Sequence, residues 1–119
     1  MSAPLGSWNI TGNGFQGILD INAVDDSGNL DASATVFGQT IIGFWDETSQ
    51  KLTFIRVPAD SSASSAYQIY TGYKMEGSLP DGATSALAGS FEAFGGTGGN
   101  ASRSLFGWWA TLTPVPPIG

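Results

Sequence analysis

The sequence predicts an all-β chain, with eight antiparallel strands in up-and-down order closing into one meander barrel. Three observations carry that prediction. Apolar residues recur with period two rather than 3.6, turn residues interrupt them at near-regular intervals, and each link is short enough for a hairpin. Composition agrees: 119 residues with 17 glycines, 7 phenylalanines, 4 tryptophans and 3 tyrosines, but only 12% charged residues. That is about half the usual charged share of a globular domain.

The strands follow in order. Gly6–Thr11 is the first, ending at the turn Gly12-Asn13-Gly14. Phe15–Val24 is the second, with Phe15, Leu19 and Ile21 on one face and Gln16, Asp20 and Asn22 on the other. Asp25-Asp26-Ser27-Gly28 supplies a turn whose glycine suits the left-handed position of a hairpin loop. Asn29–Val36 alternates most cleanly, with Leu30, Ala32, Ala34 and Val36 on one face. Phe37-Gly38-Gln39 turns the chain into Thr40–Asp46, and Glu47–Gln50 turns it into Lys51–Pro58. After the Ser/Ala loop Ala59–Ala66 come Tyr67–Met75, a loop with Pro80-Asp81-Gly82, and Ser85–Phe94. The glycine-rich Gly95–Ser102 precedes the last strand, Ser104–Thr113. Three prolines in 114–119 stop the ladder there. Gly17, Gly43, Gly72, Gly89 and Gly107 fall inside strands, where glycine is expected at bends of a tightly coiled barrel. Closure removes the two exposed sheet edges.

Much chemistry is excluded by composition. The chain has no cysteine and no histidine, hence no thiolate nucleophile, no Cys- or His-based metal site and no side chain that titrates near neutrality unperturbed. A formal charge of −6, with Lys51, Arg56, Lys74 and Arg103 scattered, argues against nucleic acid and anionic membranes as partners. No apolar run approaches the roughly 20 residues of a spanning helix. Met1–Gly6 has neither a basic n-region nor an apolar h-region, so the chain is expected to be soluble and, by default, cytoplasmic. A signal removed ahead of Met1 is the alternative.

Other motifs favour plain readings. Asp25–Asp31 mimics a calcium loop, but Val36 stands where a bidentate acid is needed and both flanks read as strand. Gly95-Gly96-Thr97-Gly98-Gly99 lacks the Lys-Ser/Thr of a phosphate loop. Asn9-Ile10-Thr11 and Asn100-Ala101-Ser102 match the glycosylation sequon, which arises often by chance. Asp20, Asp31 and Glu92 alternate with apolar residues on expected solvent faces, and nothing pairs two of them for acid–base work. Hydroxyl nucleophiles would have only Lys51 or Lys74 as activating base. Catalysis, a cofactor and a bound metal are therefore not expected.

Gly6-Ser7-Trp8 at the head of the first strand resembles the G-x-W signature of the calycins, the lipocalins and avidins. The strand spacing, with the aromatic last strand Phe106-Gly107-Trp108-Trp109, is similar to the avidin/streptavidin-like family over nearly the whole chain. The resemblance implies an eight-stranded barrel with the tryptophan plugging one end. The family's biotin site is not carried over. Its asparagine and serine positions hold Ile10 and Gly14, its third-strand tyrosine has no counterpart in Leu30–Val36, and Leu112-Thr113-Pro114 replaces its last aspartate. Losing buried donors and acceptors of that kind costs several kcal/mol, so biotin is not the expected ligand.

The rings Trp8, Phe15, Phe44, Trp45, Phe54, Tyr70, Tyr73, Phe91, Trp108 and Trp109 read either as core or as the wall of an apolar pocket. Trp45 and Trp108 stand out of phase with the other large residues of their strands, so some rings must face outward. Arg56 continues the inward phase of Leu52 and Phe54. It would neutralise a ligand carboxylate, or else end a strand, lie across a ring or pair with a local acid. The leading expectation is a non-catalytic binder of a small apolar or ring-stacking ligand in the barrel mouth. Its site residues are Trp45, Phe54, Arg56, Tyr70, Tyr73 and Trp108, with Ala59–Ala66 and Gly95–Ser102 as rims. The competing expectations are a filled barrel that forms a homo-oligomer through its faces, and a lectin-like barrel stacking sugar on Tyr or Trp.

Overall fold

Two hairpin turns set the geometry of one barrel end. Asn13 and Gly14 have φ of 49° and 82°, and Phe37 and Gly38 have 51° and 77°. Positive φ at both central residues marks type I′ turns, whose twist matches that of the strands they join. The computed structural model describes residues 3–56, 67–76, 85–95 and 102–112. Its strands are β1 (Gly6–Gly12), β2 (Phe15–Ile21), β3 (Thr35–Val36), β4 (Gln39–Asp46), β5 (Lys51–Arg56), β6 (Tyr67–Glu76), β7 (Ser85–Gly95) and β8 (Ser102–Leu112). They pair antiparallel in sequence order, and β8 returns to β1, closing the barrel. The predicted eight-stranded up-and-down architecture is the observed one.

The third strand differs most from expectation. β2 stops at Ile21 and β3 has two residues, with isolated bridges Val24 to Leu30 and Asn29 to Phe44 between them. Two aspartates explain the break. Asp25 Oδ1 accepts the backbone N–H groups of Ser27 and Asn29, each at 2.9 Å. Asp31 accepts from Ala34 N through its carbonyl at 3.0 Å and from Ser33 N through Oδ2 at 3.3 Å. Short acceptor side chains thus divert backbone donors that a ladder would have used. Hydrogen bonding also holds the Asp25 and Asp31 carboxyls below the usual carboxylate range. Asp31, read as a solvent-facing strand residue, is a turn former.

Inside the barrel, register sorts large against small. Trp108 pairs with Gly89 on β7 and with Gly12 on β1, and Gly89 pairs in turn with Gly72. The indole fills the space left by Gly72, where a Cβ would lie 2.4 Å from Trp108 Cζ2. Gly17 plays the same part for Phe37, whose ring would stand 2.3 Å from an added Cβ. Gly17 and Gly72 thus admit rings. Trp8, Ile10, Leu19, Ile21, Val36, Ile41, Leu52 and Leu87 complete a buried core, and no polar residue is buried among the described ones.

Some rings do face outward, but Trp45 and Trp108, out of phase with the other large residues of their strands, are the inward ones. They are only 5% and 3% exposed, while their neighbours Phe44 and Trp109 are 50% and 53% exposed. In a strand, adjacent residues point to opposite faces, so each aromatic pair must split. Period alone does not say which ring goes in. Closure decides it.

Candidate functional site

The two ends of the barrel are unlike. At one, Trp8 is buried and its indole Nε1 donates to the Pro4 carbonyl at 3.0 Å, so the G-x-W tryptophan and the buried Pro4 close that end. At the other, beside the type I′ turns, lies a cavity of about 330 Å³. Tyr70, Phe91 and Phe106 line it from within, Phe15 and Phe37 from the side, and Asn13, Arg56 and Gln68 supply polar groups.

The aromatic lining is built by strand register. Phe54, Tyr70, Phe91 and Phe106 stand directly opposite one another on β5, β6, β7 and β8. Successive ring centroids are 4.6, 4.5 and 5.1 Å apart, with interplanar angles of 11°, 17° and 33°. Those spacings follow the roughly 4.8 Å between neighbouring strands, so the sheet itself stacks the rings. Trp108 closes the ladder from below, edge-on to Phe54 at 6.1 Å and to Tyr70 at 6.0 Å. Its Nε1 donates to both Thr71 O (3.2 Å) and Ser90 O (3.1 Å), which fixes the indole plane.

Over this ladder sits a polar cluster. Arg56 Nε donates to Gln39 Oε1, and Arg56 Nη1 donates to Gln68 Oε1 at 3.0 Å. The Tyr70 hydroxyl donates to the same Gln68 oxygen at 2.9 Å. The Phe37 ring lies 5.2 Å from the Arg56 Cζ, within cation–π range. Phe37 holds a left-handed φ of 51° to reach that position, a conformation costing a bulky residue on the order of 1 kcal/mol.

Burial pushes the Tyr70 phenol above the usual tyrosine range, and the charge of Arg56 and hydrogen bonding to it pull the other way. Because the folded pKa is raised, the unfolded chain loses this proton first as pH climbs past about 10. Stability should therefore fall from about pH 10 upward, until Tyr70 itself ionises in the fold. Urea midpoints at pH 8 and pH 10.5 check this, and Tyr70→Phe should lose less stability over that interval than the wild type. An equal loss would remove Tyr70 as the source.

The residues expected at the site separate as follows. Arg56 and Tyr70 line the cavity, Phe54 stacks on Tyr70 at the end of the ladder, and Trp108 lies edge-on beneath the two. Trp45 and Tyr73 do not join them. Trp45 borders a second cleft with Asp25, Asp26, Phe44 and Asp46, and its Nε1 donates to Glu47 at 3.2 Å. Tyr73 is 52% exposed on the outer face, with Lys51 Nζ 5.9 Å from its ring. It follows Gly72 in the chain, and with Tyr70 and Gly72 inward the alternation turns it out. Of the expected rims, Ala59–Ala66 lies outside the described residues, as does 96–101, whereas Gly95 and Ser102 belong to β7 and β8.

Phe37, Gln39, Gln68 and Phe106 were missed as site residues. Phe106 was accessible from period two, lying two residues before Trp108. Phe37 was not, because it sits in a turn. No group of three His, Cys, Asp or Glu side chains able to hold a metal occurs among the described residues. No helix among them is long and apolar enough to cross a membrane. No protein-family model matches this chain, and comparison with curated proteins and with solved structures finds no significant match.

Proposed function

We propose that this chain is a non-catalytic binding protein of the calycin kind, taking a small apolar or ring-bearing ligand into the open barrel mouth. The observation that carries this reading is the ladder Phe54–Tyr70–Phe91–Phe106, whose upper end borders a cavity of about 330 Å³ while Trp8 shuts the far end. A concave site walled by rings, with few polar groups, is the usual form of a small-molecule pocket. Phe15 supports the reading too: it shares the inward face of Leu19 and Ile21 yet stays 70% exposed at the rim. Gly6-Ser7-Trp8 and the closed eight-strand order support the likeness to avidins and lipocalins, without the biotin groups.

Tryptophan emission is the direct test, because Trp108 sits under the floor of the cavity. Titration with 2-naphthamide, a neutral two-ring probe, should change that emission with a dissociation constant below about 1 mM. Phe15→Ala and Phe37→Asn should each weaken binding about tenfold, a loss of ~1.4 kcal/mol, while leaving the melting temperature within a few degrees. For Phe37→Asn, relief of the left-handed strain offsets the lost ring contacts. No saturable response from the wild type would remove the proposal.

A second reading is favoured by the outer surface. Ile42, Ile55 and Ile69 stand opposite one another on β4, β5 and β6, all exposed, with Phe44 exposed on the same sheet face. Contiguous apolar surface of this kind often marks an interface, which would make the protein an oligomer through its barrel face. Sedimentation at micromolar concentration separates the two, since a strict monomer removes the second.

A further inference from the structure

We infer that Arg56 is the anion-recognition group of the mouth, and that the ligand is a small ring-bearing monocarboxylate. The inference rests on the binding reading above and narrows it to a chemical class. Arg56 is the last residue of β5 and points inward with Leu52 and Phe54, so its charge stands on the cavity side of the sheet.

Its hydrogen-bond partners among the described residues, Gln39 and Gln68, are both neutral amides. The ion pair found among these residues, Lys74 with Glu76, sits at the opposite end of β6 from Gln68. A guanidinium has five N–H donors, and these two bonds use two of them. The two glutamine oxygens hold the guanidinium plane from two sides, and the Phe37 ring lies against it. Gln68 is itself steadied by the Tyr70 hydroxyl, which ties the polar cluster to the ring ladder.

An orientation held by neutral groups leaves the positive charge of Arg56 uncompensated by them. A carboxylate fits the donors that no described residue takes up, because its two oxygens match the guanidinium fork. One cation calls for one negative charge. The net charge of −6 repels all anions alike, so selectivity among them must come from the ring body bound by the ladder. The size of the cavity, about 330 Å³, favours a body of one or two rings.

The test compares 2-naphthoate with the isosteric neutral 2-naphthamide by tryptophan emission on the intact chain. The wild type should bind naphthoate at least tenfold more tightly than naphthamide, since hydrogen bonds to charged groups contribute more than neutral ones. In Arg56→Gln the ratio of the two affinities should collapse to twofold or less, whatever happens to naphthamide affinity itself. Arg56→Lys should recover only part of the preference, because an ammonium lacks the fork. Naphthamide binding with no naphthoate preference in the wild type would overturn the carboxylate inference alone. A preference that survives Arg56→Gln would overturn the role of Arg56. If neither probe binds, the binding reading fails and this inference falls with it.

Discussion

Trp108→Ala should lower the unfolding free energy by about 4 kcal/mol, in the middle of the range for aromatic truncations in a core. The indole is 3% exposed and occupies the space that Gly72 leaves open, with Gly89 and Gly12 directly opposite it in register. None of those neighbours has a side chain that could move in, so the cavity stays open. The Nε1–H shared between Thr71 O and Ser90 O also disappears. Against a total stability of about 5–15 kcal/mol, such a loss leaves the chain close to unfolding at 37 °C. Urea denaturation of Trp108→Ala beside Trp108→Phe checks the argument. Phenylalanine keeps part of the volume and forfeits the hydrogen bond, so its loss should be about half as large. A decrease under about 1.5 kcal/mol for the alanine variant would mean that the ring ladder does not depend on its base.

Gly89→Ala is the second large effect, about 3 kcal/mol or more, from a single methyl group. A Cβ there would lie 1.9 Å from Thr71 O and 2.5 Å from Gly72 Cα. Both are backbone atoms of the paired strand, so no rotamer change relieves the overlap, and β6 and β7 must separate locally. Overpacking of this kind costs 1–3 kcal/mol even where side chains can yield. Gly107 provides the control. A Cβ at Gly107 meets nothing nearer than Gly89 O at 3.9 Å, and its φ is not left-handed. Gly107→Ala should therefore be neutral, or stabilising by up to about 1 kcal/mol through a less flexible unfolded chain. If both variants melt together, the close approach of β6 and β7 at Gly89 is not what constrains the barrel.

Legibility of the site varied with the kind of residue involved. Tyr70, Phe54 and Arg56 were readable because each follows the period-two phase of a well-formed strand. Phe37 and the two glutamines were not, since a turn residue has no periodic phase and a glutamine resembles any solvent-facing position. Tyr73 misled because Gly72 has no side chain to show which face is inward. Asp25 and Asp31 concealed the shortness of β3, because their carboxylates take over the work of a ladder within a segment whose apolar pattern still reads as strand.

By itself the sequence determined the all-β class, the eight strands in order, the turn at Asn13-Gly14 and a chain lacking thiol and imidazole chemistry. These follow from local rules: side-chain alternation, the conformations open to glycine and asparagine, and the residues absent. The tertiary structure alone decided which ring of each adjacent pair turned inward, that Phe54, Tyr70, Phe91 and Phe106 stack as one ladder, and that Arg56 rests on two neutral amides. Those outcomes depend on cross-strand register between segments many residues apart. Register becomes definite only when the sheet closes and every strand must meet both of its neighbours at once.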